Sequence, residues 1–242
     1  MRYLAIVQYD GTNYVGWQIQ PNGISVEEEI EKVLSKILNT PTKIYGSGRT
    51  DSGVHALGQT FHFDTLKTID IDKFKYSLNC LLPKDIHVVS LQEKNLDFNA
   101  RYSAKSKTYK YIINTGEYDV FHRTDQNQLL QKLDINELYV AASYFIGEHN
   151  FQDFTAKEED ETNFVRNVYR FDIKQDGDVI TFTINGNGFM RYMIRMMIGV
   201  LIEIGLHRID KEYIKEHLDQ NKRVTVPYKA DACGLYLVEV EY

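Results

Sequence analysis

Cysteine is scarce in this chain, basic residues fall short of acidic ones, and no apolar run is long enough to span a bilayer. The 242 residues include only Cys80 and Cys233, far apart and outside any CxxC or Cys/His spacing that would hold zinc. They read as two small buried side chains in a reducing cytoplasm. The longest apolar region, residues 193–206, is interrupted by Arg195 and Glu203. The opening Met1-Arg2-Tyr3-Leu4-Ala5 lacks the apolar core of a signal peptide. These absences exclude a membrane span and lead us to expect a cytoplasmic protein. Lys plus Arg is 28 against 34 for Asp plus Glu, a net charge of −6, which excludes a uniformly basic coat but leaves room for a local basic cleft. Tryptophan occurs once, whereas tyrosine occurs 17 times and phenylalanine 12.

Strand and helix signals alternate along the chain. An apolar run over Tyr3 to Tyr9 ends in the turn pair Asp10-Gly11. Ser25 and Glu28 form a capping box ahead of Val26, Ile30, Val33, Leu34, Ile37 and Leu38, which recur at helical spacing. Strands are expected at Lys43 to Tyr45, Gln59 to Asp64 and Ile86 to Leu91, and a helix at Ile71 to Cys80. Further on, strands are expected at Lys105 to Asn114, Val165 to Lys174, Val179 to Asn185 and Gly234 to Glu241. Asp134 starts a helix through Tyr144, Phe189 to Ile204 forms another, and Asp210 caps a last one to Leu218. Gln175-Asp176-Gly177-Asp178 signals a hairpin. The acidic run Glu158-Glu159-Asp160-Glu161 reads as a solvated loop. The mixture predicts an α+β fold with a mixed, mostly antiparallel sheet flanked by helices, in two halves covering 1–104 and 105–242.

Three segments carry chemistry. Gly46-Ser47-Gly48-Arg49-Thr50-Asp51-Ser52-Gly53-Val54-His55 places a carboxylate on a Gly-rich loop between two strands, where it can serve as nucleophile or base, or simply close a turn. The spacing is not that of a P-loop, so nucleoside triphosphate binding is not indicated. His55, His62 and Asp64 lie nearby, but lone histidines at such spacing are more often structural, and we expect no metal site. Arg195 sits in a helix apolar on almost every side; its guanidinium either pairs with a carboxylate such as Asp51 or reaches solvent along the helix edge. Arg101 to Tyr111 holds four basic residues and no acid, with Lys107, Tyr109 and Tyr111 on one strand face, which suits charge on phosphates and rings on bases.

Taken together, these segments resemble the TruA family of tRNA pseudouridine synthases. Tyr9-Asp10-Gly11-Thr12-Asn13-Tyr14-Val15-Gly16-Trp17-Gln18 resembles the family's YDGTxYxGWQ, and Gly48 to Ala56 its GRTDxGVHA. Ser106 to Tyr111 resembles its YxY strand, Gly188 to Gly199 its GxGFLxxMVR helix, and Ala232 to Leu237 its closing A-x-GLxL. The matches keep their order from the first strand to the last.

The resemblance implies two similar ferredoxin-like or RRM-like halves around a central cleft. It implies an isomerase that converts uridines at tRNA positions 38, 39 and 40, in the anticodon stem-loop, to pseudouridine. Asp51 is then the nucleophilic carboxylate, Arg195 its catalytic partner, Tyr109 the ring against the target uracil, and Arg49 the side chain that holds the base out of the helix. Nothing is oxidised and no group leaves, so no cofactor is implied. The resemblance also implies a homodimer that binds tRNA, without metal and away from membranes. Two other readings fit single segments: a non-catalytic RNA-binding protein using the strand around Tyr109, and a hydrolase using Asp51 with a second carboxylate.

Overall fold

The computed structural model describes residues 1–156, 163–220 and 222–242. The acidic run Glu158 to Glu161 lies outside the described residues. In chain order the elements are β1 (Arg2–Tyr9), α1 (Val26–Leu38), β2 (Ile44–Gly46), β3 (His55–Asp64), α2 (Ile71–Leu81) and β4 (Ile86–Lys94). There follow β5 (Ser106–Asn114), β6 (Asn127–Gln128), α3 (Ile135–Ser143), β7 (Gly147–Asn150), β8 (Val165–Asp176) and β9 (Val179–Gly186). The last are α4 (Met193–Gly205), α5 (Glu212–His217) and β10 (Leu235–Glu241).

The chain divides into two compact units. The first holds Met1–Lys105 with Tyr236–Tyr242, and the second Ser106–Leu235. In the first unit the strands lie in the order β4-β1-β3, with β2 antiparallel to β3 and β10 parallel to the start of β3. The run β1-α1-β2-β3-α2-β4 with that strand order is the ferredoxin-like arrangement. Tyr3, Leu4, Ala5 and Val7 of β1, Phe61 and Phe63 of β3, and Ile30 and Leu34 of α1 are buried in its core. Helix α1 starts where the capping box places it, with Ser25 Oγ accepting from the Glu28 N–H at 3.2 Å.

The second unit repeats the scheme as β5-α3-β8-β9-α4, with β9 between β5 and β8 and β7 on the outer side of β8. The hairpin is as tight as its sequence suggests: β8 ends at Asp176, β9 begins at Val179, and Gly177 takes φ +58°. The α+β class follows from these orders; the first unit is ferredoxin-like, and the second carries the β-α-β-β-α part of that scheme.

Several boundaries differ from the expectation. Strand β3 begins at His55 rather than Gln59, because residues 55–56 pair with Tyr236 and Leu237 of the distant β10. Strand β4 runs on to Lys94 because Arg2 at the start of β1 pairs with it. Helix α4 begins at Met193 rather than Phe189, since Tyr192 takes φ 63°, a left-handed conformation that a helix interior does not admit. Strands β6 and β7 were not expected. They are short, and tertiary pairing with β5 and β8 defines them. Neither cysteine is buried as expected: α2 turns Phe74 and Leu78 inward and leaves Cys80 exposed, and Cys233 is half-buried.

Candidate active site

The loop between β2 and β3 carries Arg49 and Asp51, and the segment Tyr9 to Trp17 grips it. The Tyr9 hydroxyl and Thr50 Oγ1 lie 2.8 Å apart in the interior. Burial pushes the Tyr9 phenol well above its ordinary range, so it stays neutral and able to hydrogen-bond. The Trp17 N–H donates to the Thr50 carbonyl at 3.1 Å, and Gly16 bridges to Asp51 in antiparallel fashion. Gly16 has φ +112°, and a Cβ there would fall 2.6 Å from the Thr50 oxygen, so the backbones meet only because this residue is glycine. Ser52 Oγ donates to the Tyr14 carbonyl at 3.1 Å.

The β3 side holds the other flank. Gln59 is fully buried; its Nε2 donates to the Gly48 carbonyl at 3.0 Å and its Oε1 accepts from Ser47 Oγ at 2.8 Å. The Val54 N–H closes the loop onto the Asp51 carbonyl at 3.1 Å. Thr50 and Val54 are buried, Asp51 is half-buried and Arg49 is exposed. The arrangement therefore fixes a half-buried carboxylate on a backbone with little freedom, the pose a nucleophile or base requires.

Tyr109 and Arg195 belong to the second unit. On β5 the side chains of Tyr109, Tyr111 and Ile113 are buried, while Lys107, two residues before Tyr109, is half-buried. The Tyr109 ring meets Phe189 edge-on at 5.4 Å. Tyr111 is a structural partner: its hydroxyl donates to the Asp231 carbonyl at 2.8 Å and accepts from Asn127 Nδ2 at 3.1 Å. Burial pushes the Lys110 ammonium below its ordinary pKa. Arg195 is half-buried on α4. Its Nε donates to the Ala230 carbonyl at 2.9 Å, and the Ala230 N–H donates back to the Arg195 carbonyl at 2.9 Å.

The sequence did not single out Gln59, Ala230 or Asp153, which hold these segments in place. Asp153 is fully buried and accepts from the Val224 N–H at 2.8 Å and from His217 Nδ1 at 2.9 Å, tying down the strand-free stretch that leads to Ala230. Nothing local marks an aspartate for such a task. Both histidines near the loop have structural partners: His55 Nδ1 accepts from the Gly11 N–H and His62 Nδ1 from the Ala100 N–H, each at 3.1 Å. Among the described residues, no three His, Cys, Asp or Glu side chains gather as metal ligands, and no helix is long and apolar enough to cross a membrane.

Comparison with known proteins decides the family. A family profile described as tRNA pseudouridine synthase matches residues 5–103 and 141–242. The chain belongs to this family. The tRNA pseudouridine synthase A of Acetivibrio thermocellus is 39% identical over 240 residues, covering 98% of this chain and 98% of the relative. That of Geotalea uraniireducens is 40% identical over 238 residues, again with 98% of each covered. A solved H/ACA RNP bound to a substrate RNA containing 2′-deoxyuridine aligns with 84% of this chain and 42% of its own, at TM-score 0.38 and 14% identity. As a family member the protein is an isomerase that converts uridine to pseudouridine in tRNA.

Proposed function

We propose that this isomerase acts on uridines 38, 39 and 40 of the tRNA anticodon stem-loop, with Asp51 as its nucleophile. The observation that carries the assignment is the position of Asp51: a half-buried carboxylate on a loop clamped by the Trp17 N–H on one side and Gln59 on the other. A stem uridine must leave the stack before any side chain reaches its sugar, at a cost of a few kcal/mol. The N1–C1′ bond then breaks, the uracil turns, C5 bonds to C1′, and the proton lost from C5 is balanced by one gained at N1. Asp51 serves this sequence either by attacking C1′ or by removing the C2′ proton to give a glycal. Tyr109 offers its ring to the detached uracil, Arg195 is the catalytic guanidinium, and Arg49, exposed on the same loop as Asp51, holds the flipped base out. The enzyme works in the cytoplasm as a homodimer. One proton leaves C5 and one is gained at N1, with no change of oxidation level, so the reaction needs no electron donor.

The test is Asp51→Ala assayed by tritium release from tRNA carrying C5-labelled uridine. Release should vanish while the melting temperature stays at the wild-type value. Measurable turnover by the variant rejects the nucleophile. Mapping pseudouridine in tRNA from cells lacking the protein checks the positions, which should revert to uridine at 38 to 40.

A further inference from the structure

Three cations converge on one aromatic ring in the second unit. The Tyr192 ring centroid lies 4.8 Å from the Arg191 guanidinium, 5.3 Å from that of Arg195 and 4.4 Å from Lys229 Nζ. The placement is fixed from both sides. Arg191 Nη2 donates to the Tyr192 hydroxyl at 3.1 Å. Lys229 precedes Ala230, which is bonded in both directions to Arg195. Tyr192 itself is held at φ 63°, a conformation rare for a bulky residue, and so stands at the head of the 13-residue helix α4. The positive end of that helix adds to the local potential.

Attraction to a ring face offsets only part of the repulsion among like charges gathered so closely. Arg191 and Lys229 are exposed, and among the described residues neither forms an ion pair with a carboxylate. Both side chains are therefore open to an anionic ligand within the described residues. We propose that Arg191, Tyr192 and Lys229 form a clasp for a phosphodiester of the tRNA backbone, a contact that positions the RNA and takes no part in bond rearrangement. The proposal rests on tRNA as the substrate, which the family establishes. An exposed pair of cations on an open face suits a polyanion passing across it. Guanidinium and ammonium are the two groups that most often meet phosphate oxygens.

The test measures binding and so is independent of the role of Asp51. Affinity of the full-length protein for a whole tRNA transcript is followed by fluorescence anisotropy between 50 and 300 mM KCl. Arg191→Gln and Lys229→Gln should each weaken binding roughly three- to ten-fold at 150 mM salt and lower the slope of log K against log salt by about 1. Lys229→Arg should restore the wild-type slope. An unchanged slope in the Arg191→Gln, Lys229→Gln double variant, at a wild-type melting temperature, overturns the clasp. So does weaker binding with the slope intact, which marks a packing defect. A third arm adds inorganic phosphate at constant ionic strength. Phosphate should release tRNA from the wild type more readily than from the double variant, because ion and backbone compete for the clasp; equal release from both proteins overturns it.

Discussion

His62 shows how one side chain can carry both packing and a pH response. It is buried, its Nδ1 accepts from the Ala100 N–H, and its ring stacks on Tyr45 at 5.0 Å. Burial, then the nearby Arg2 cation, pushes its pKa below the ordinary 6.5. The folded protein thus binds this proton less readily than the unfolded chain does. The stability His62 lends is complete above pH 6.5 and is lost as the pH falls through the lowered value. The melting temperature should therefore drop between pH 7 and pH 5, and His62→Gln should flatten that part of the curve. An identical slope in the variant would assign the loss to other groups. At the same scale, Asp51 and Arg49 stood out only through the resemblance of residues 48–56 to a family motif, since Gly/Ser/Asp loops are common and most simply close a turn. Gln59 did not, because a strand glutamine has no pattern until its two loop partners are in place.

Elements were read well where their signals are local. Ser25, Asp70 and Asp134 each cap a helix through a side-chain oxygen, as the sequence led us to expect for two of them. The β2–β3 and β8–β9 connections occupy equivalent places in the two units yet serve different ends. The first spans residues 47–54 and carries Asp51, whereas the second turns in two residues. The stretch from Val224 to Ala230 forms neither helix nor strand and depends on Asp153 instead. Asp153→Ala would leave the Val224 N–H and His217 Nδ1 without their acceptor, at a cost of about 2–3 kcal/mol. Urea unfolding should show the midpoint fall accordingly, with Asp153→Asn losing less because an amide oxygen still accepts from Val224. A midpoint unchanged in both variants would show that the stretch is held by other contacts.

On the scale of the whole molecule, the net charge of −6 and a polyanionic substrate are compatible because affinity follows local potential rather than the average. The cations around Tyr192 supply such a potential within one unit, and the acidic excess lies elsewhere in the sequence. The proposed homodimer belongs to this scale. Light scattering on the purified protein should give twice the 28.2 kDa of one chain, and a mass of 28.2 kDa at micromolar concentration would reject it. Chain order also matters here: the second unit is inserted between Lys105 and Tyr236, so the first unit is completed only by the last seven residues, Tyr236–Tyr242.

The sequence by itself determined the fold class, most helix starts, the hairpin, and the loop that carries Asp51. Those features depend on spacing of 2 or 3.6 residues and on caps that bond within a turn, so neighbours in sequence suffice. Only the tertiary structure decided where β3 and α4 begin, which residues clamp the loop that carries Asp51, and that Lys229 meets Tyr192. Each of these joins residues far apart in the chain: β3 to β10, Tyr9 to Thr50, Lys229 to Tyr192. No periodic pattern encodes such a meeting, because it exists only once the intervening chain has folded and brought the two backbones within contact distance.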